Sequence, residues 1–178
     1  ESRQPFSISY YLEPTDDKMT FIQQASNDYG GGAVYFDKQI ANGFTFWTCE
    51  FYDKLELGSK ANVVYDNQGR EIAYQRLNIY SQAIVSTTKY CYLENVGEFE
   101  THPKIPFHRR FDFLYNSDYI SVNLNLSYYM DMRGGSFSIK PGQNVFLEDS
   151  KLAAIFNWDE HPYYHSAEPL LPTSLIKL

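Results

Sequence analysis

The sequence lacks any apolar run approaching the length of about 18 residues that a membrane helix needs, which excludes a helical membrane span. It lacks a basic cluster. The largest is the pair Arg109-Arg110, and 15 Lys plus Arg stand against 22 Asp plus Glu, for a net charge of -7. Sequence-independent nucleic-acid binding and docking to an anionic membrane both need the opposite balance. It lacks the periodic helices that an all-helical or doubly wound parallel fold requires. It lacks a nucleophile elbow. The run Gly30-Gly31-Gly32 has no Lys-Ser/Thr after it, so it reads as a turn before the strand 33–36 rather than a phosphate loop.

Cysteine is scarce. Cys49 and Cys91 both lie in apolar, strand-like stretches, and their spacing is neither a redox nor a metal motif. They are candidates for one disulfide if their strands are neighbours, or for two buried free thiols. The chain opens Glu1-Ser2-Arg3-Gln4-Pro5, with no initiator Met and no apolar signal core, which reads as a processed or excised form. Together with the acidic, Tyr-rich composition, this leads to an expectation of an extracellular or cell-surface location.

What remains is aromatic and β-favouring. Of 178 residues, 16 are Tyr and 13 are Phe, with 10 Gly and 8 Pro to punctuate them. Phe6, Ile8, Tyr10 and Leu12 alternate with polar or half-polar neighbours, giving a first strand. Residues 18–25 fit neither period, because Phe21 and Ile22 are adjacent. Residues 43–52 form a dense strand with Phe44 and Phe46 on one face and Thr45, Trp47, Cys49 and Phe51 on the other, which places it centrally or under a covered outer face. Asp66-Asn67-Gln68-Gly69 is a hairpin turn. Residues 72–85 read as two short strands, residues 86–93 as another, and 95–106 as a loop. From Ile120 to Arg133 the alternation is clean. Ile120, Val122, Leu124, Leu126, Tyr128, Met130 and Met132 face the core, and the intervening residues face water.

These strands predict a single all-β domain over residues 1–178, an antiparallel β-sandwich of jelly-roll type, with a partly open β-barrel as the alternative. The segment Gly135-Ser136-Phe137-Ser138-Ile139-Lys140-Pro141-Gly142-Gln143-Asn144-Val145 is similar to the second motif of the cupin family, a strand leading to a Pro-Gly turn. That resemblance implies a jelly roll. It implies no metal, because Asn144 and Val145 stand where that family carries a histidine.

The wet face of the 120–133 stretch is the candidate ligand surface. Asn123, Asn125, Asp131 and Arg133 supply hydrogen bonds, and Tyr129 supplies a flat ring. The expected function is a non-catalytic module binding a carbohydrate or similar surface ligand. Asn125-Leu126-Ser127 is also a glycosylation pattern. The alternative is a structural, assembly or adhesin-like subunit that self-associates through the apolar tail 170–178. A carboxylate hydrolase or lyase using Glu50 and Asp131 is the third reading. It expects an outer-face Glu50, since an unpaired buried carboxylate is costly.

No cofactor is expected. Calcium is the ion that the oxygen-rich loops at Asp16-Asp17, Asn27-Asp28, Asp66-Asn67 and Asp149 suit best. Two histidine sets, Glu98, Glu100, His102 and His108, and His161 with His165, have transition-metal donors. The second set requires a helix begun by Pro162 with Asp159 as its cap, and ordinary surface histidines are the expected outcome.

Overall fold

A computed structural model describes residues 8–92, 108–116, 120–127, 136–139 and 160–173. The chain forms two compact units, Glu1–Thr87 and Thr88–Leu178, with the boundary inside the sixth strand.

The first unit begins with β1 (Ile8–Tyr11), α1 (Lys18–Tyr29) and β2 (Gly31–Ala41), followed by β3 (Phe44–Asp53), β4 (Glu56–Tyr65) and β5 (Glu71–Leu77). Strands neighbour one another in chain order. β1 and β2 are parallel, with Tyr10 opposite Val34. β2 to β5 are antiparallel. The sheet class is therefore the expected one, but the sheet is mixed. A parallel pair needs a crossover, and α1 supplies it.

Residues 18–25 resolve as helix. Asp17 accepts from Met19 N at 3.3 Å and from the Thr20 hydroxyl at 2.7 Å, capping the N-terminus. Ile22 and Ala25 are buried. With Lys18 and Phe21 they share one face at helical spacing, so the adjacent Phe21 and Ile22 both belong to the inner stripe of a helix. Gly30 ends the helix at φ 77°, a left-handed cap donating to Ser26 O at 3.1 Å. The next two glycines are set by close packing. A Cβ on Gly31 would collide with Tyr52 O, and one on Gly32 would lie 2.7 Å from Ile8 O. The glycine run is thus a helix stop followed by a crowded strand start.

Both faces of this sheet are apolar. Leu12, Ile22 and Val34 pack with Tyr10, Phe21, Phe36 and Tyr52 on the helix side. Ala33, Tyr35, Trp47, Cys49, Ala61 and Val63 pack with Phe51, Tyr65 and Tyr74 on the other. The 66–69 turn forms as read, with Gly69 N donating to Asp66 O and Gly69 at φ 78°.

The strands of the second unit are β6 (Ile84–Tyr92), which carries the boundary, β7 (His108–Tyr115), β8 (Ile120–Ser127) and β9 (Ser136–Ile139). β7–β8 and β8–β9 are antiparallel. Phe111, Phe113, Ile120 and Val122 are buried, the last two on the side that the alternation assigns to the core. Strands β2 to β5 of the first unit and β7 to β9 of the second follow one another as antiparallel meanders. The Greek-key crossovers of a jelly roll do not occur among the described strands.

The tail holds a 3-10 turn, Pro162–Tyr164, rather than an α-helix. Leu170 and Pro172 are buried, so this part of the tail is internal packing and not a free apolar arm. No described helix is long and apolar enough to cross a membrane.

Candidate functional site

The sequence-nominated polar ladder is only partly placed. β8 puts Asn123 opposite Asp112 and Asn125 opposite Arg110. Tyr129, Asp131 and Arg133 lie outside the described residues, as does Asp149. Arg110 bonds Asp112 at 2.7 Å, and its guanidinium lies 4.3 Å from the centre of the Tyr90 ring. A flat ring next to this ladder is therefore already covered by a cation.

Glu50 overturns the outer-face expectation. It is buried on the helix side, and it is paired. Lys18 Nζ lies 2.7 Å from Oε2, the Tyr52 hydroxyl donates to the same oxygen at 2.6 Å, and Lys60 Nζ lies 3.6 Å from Oε1. Burial pushes its carboxyl pKa up, but Lys18, Tyr52 and Lys60 outweigh that and hold it below the usual value. A glycosidase general acid needs the reverse shift. Glu50 is an ionised anchor between α1, β3 and β4, and its described contacts are two ammonium groups and a phenol.

The opposite face of the first unit is an aromatic layer. Tyr11 stacks on Tyr35 with centroids 4.4 Å apart, and Trp47 meets Tyr11 edge-on at 5.3 Å. Tyr65 shares hydrogen bonds with Tyr35 and Tyr11, and Tyr35 bonds the Cys49 thiol. Burial pushes that thiol up to about 12, so Cys49 is inert rather than nucleophilic. Cys49 and Cys91 are both buried thiols, and the candidate disulfide is not formed.

The outer strand of this unit is β1. Leu12 N donates to Tyr35 O at 2.8 Å, which fixes the alternation. Tyr10 and Ile8 turn their main-chain groups toward β2, and Ser9 and Tyr11 turn theirs the other way. No described strand lies on that side. Ser9 and Tyr11 side chains are exposed, Tyr11 by 52%. The four residues carry no charge.

A second exposed feature is the turn between β5 and β6. Asn78 Oδ1 accepts from Tyr80 N and Ser81 N at 2.9 Å each, Gln82 N donates to Asn78 O at 2.9 Å, and Asn78 N donates to Ala83 O at 2.8 Å. This fixed turn presents Tyr80 at 89% exposure, with Ile84 and Val85 also exposed. Residues 78–85 contain no charge.

In the second unit the sequence reading missed Lys89. Its side chain is fully buried, and Nζ donates to the carbonyls of Tyr163, Ser166 and Pro169 at 2.7, 2.8 and 2.9 Å. The Tyr163 ring centre lies 3.9 Å away. Burial pulls the ammonium down to about 7, against an opposing pull from Glu168. The signal was present: Thr87, Lys89 and Cys91 share one side of β6, and Cys91 is apolar core. With all three donors occupied by main chain, Lys89 anchors the tail and has no proton donor left for a substrate.

Asn27-Asp28 is the last turn of α1 and not a loop, and the oxygens of Asp16, Asp17 and Asp66 are used locally. Asp16 accepts from Glu13 N at 2.8 Å, Asp17 caps α1, and Asp66 takes Gln68 N, Arg70 N and Arg70 Nε. His161 and His165 flank the 3-10 turn instead of sharing a helix face, and the His161 ring packs edge-on against Tyr164. Among the described residues no three His, Cys, Asp or Glu gather as metal ligands. Glu98, Glu100 and His102 lie outside the described residues, and of His108 only the backbone position in β7 is described. No family model, curated protein or solved structure matches this chain.

Proposed function

We propose that the protein is a structural subunit that acts by assembling with other protein surfaces through an open sheet edge. The observation that carries this is β1, an outer strand of uncharged residues whose Ser9 and Tyr11 main-chain groups face away from the sheet. Such an edge is a ready template for another strand. The fixed, uncharged turn carrying Tyr80, Ile84 and Val85 is a second contact element. Exposed Tyr in a pre-ordered turn suits a protein interface, because little freedom is lost on docking.

The carbohydrate reading has weaker support. Tyr35 and Trp47 are buried, and Arg110 covers Tyr90. With apolar clusters on both sheet faces of the first unit, a layered, sandwich-like arrangement belongs to the same proposal, as does an extracellular setting.

Sedimentation velocity over a hundredfold concentration range tests the assembly reading. A defined oligomer that grows with concentration supports it. A monomer throughout, together with saturable glycan binding, would replace it with the carbohydrate reading.

A further inference from the structure

We infer that the partner at the β1 edge is a second copy of this chain, paired antiparallel about a two-fold axis at Tyr10. This rests on the assembly reading and gives it a register.

The main-chain alternation dictates that register. Ser9 and Tyr11 are the residues of β1 whose N–H and C=O point outward. In an antiparallel pair, residues that exchange both hydrogen bonds alternate with residues that exchange none. Placing Ser9 opposite Tyr11 of a second copy makes both outward residues bonded. The two-fold axis then places Tyr11 opposite the copy's Ser9. Two outward N–H groups and two outward C=O groups on each strand are all satisfied, by four hydrogen bonds.

Tyr10 meets its own copy in the non-bonded position, and Ile8 falls opposite Leu12. Centring the pair on Ser9 instead would bond Ser9 to itself and leave Tyr11 unmatched within β1. The face assignment agrees. A two-fold axis perpendicular to the sheet keeps Ile8 and Tyr10 on the helix side and Ser9 and Tyr11 on the aromatic side in both copies.

The charge pattern permits the approach. Two chains of net charge -7 repel. Within β1, however, Ile8-Ser9-Tyr10-Tyr11 puts no like charges opposite each other. The strand also carries none of the inward charges, bulges or lysines that block edge pairing. Its four-residue length limits the affinity, so pairing is concentration-dependent rather than permanent.

The test uses the full chain with two variants. Ser9→Pro removes the outward donor in each copy without touching a bond to β2, a position where an edge strand accepts proline. Sedimentation velocity is expected to show the dimer constant weakened on the order of tenfold or more. In parallel, Ser9→Cys/Tyr11→Cys is oxidised and compared with Ser9→Cys alone. Bonded antiparallel pairs put Cα atoms about 5.5 Å apart, within disulfide reach.

The expected result is a covalent dimer from the double variant and none from the single one. Equal cross-linking of Ser9→Cys alone would overturn the Tyr10-centred register. Wild-type association of a folded Ser9→Pro variant, with no cross-linked double variant, would overturn the edge pairing and leave the assembly reading standing. A wild-type chain that stays monomeric would remove both.

Discussion

Tyr11 lies flat on Tyr35, with ring centroids 4.4 Å apart and planes inclined by 17°. The two residues are also register partners in the parallel β1–β2 pair. Tyr11 thus turns its ring onto the sheet face while its main chain points to the side that no described strand covers. The residue that stabilises the edge is also the residue that offers it. Tyr11→Ala is expected to lower unfolding free energy by about 1–2 kcal/mol through the lost stack and area. Urea denaturation with unchanged slope measures it.

Lys89 sets a pH dependence in the second unit. Its folded pKa is about 7 against 10.5 for a free lysine. Below pH 7 the ammonium is charged in both states and the cost of burying it is present in full. Between 7 and 10.5 the unfolded chain holds the extra proton, so stability rises with pH. Tyr115, Tyr163 and Tyr164 have raised pKa values from burial, so stability falls again once unfolded tyrosines ionise above about 10. Thermal melts should peak between these limits. Lys89→Met should flatten the rising limb. It should also cost about 3 kcal/mol near neutrality, since the carbonyls of Tyr163, Ser166 and Pro169 all lose their donor.

Glu50 acts in the acid range. Its folded carboxyl pKa lies below the usual 4.5. Its contribution is therefore present above 4.5 and is lost as pH falls through the folded value. Glu50→Gln should cost about 1–2 kcal/mol at pH 7, a figure held down by the partial exposure of Lys18 and Lys60. The variant should lose less stability than wild type between pH 5 and 3. A wild-type acid limb unchanged by the substitution would contradict the pairing.

Gly31→Ala should destabilise more than Gly30→Ala. Gly31 is blocked by backbone at Tyr52 and Asp53, whereas a Cβ at Gly30 meets nothing within 4 Å and bears only the strain of φ 77°. The expected costs are about 3 kcal/mol for the first and about 1 kcal/mol for the second. Comparable melting temperatures for the two would contradict the close approach of β2 and β3.

Much of the strand layout was legible because alternation is a local signal. The Ile120–Val122 side, the two faces of β3 and the turn at Asp66–Gly69 all follow from period-two patterning and turn chemistry. α1 was hidden because the adjacent pair Phe21 and Ile22 fits neither period over so short a run, and the Lys18 that completes its inner face is held by Glu50, 32 residues away. The alternation of β6 puts Lys89 on the side of Cys91, but the carbonyls that make its burial tolerable come from residues 163–169. Long-range partners leave no mark on local periodicity. The position of β1 as the outermost described strand was equally invisible, since it depends on strand order and on a parallel pairing that nothing in residues 8–11 encodes.

The most direct test of the account is amide hydrogen exchange at residue resolution, followed as protein concentration rises. Ile8, Tyr10 and Leu12 donate to β2 and should stay protected at every concentration. Ser9 and Tyr11 should exchange freely in dilute solution and become protected together as the protein associates. Oligomers that form while Ser9 and Tyr11 remain unprotected would contradict assembly through this edge.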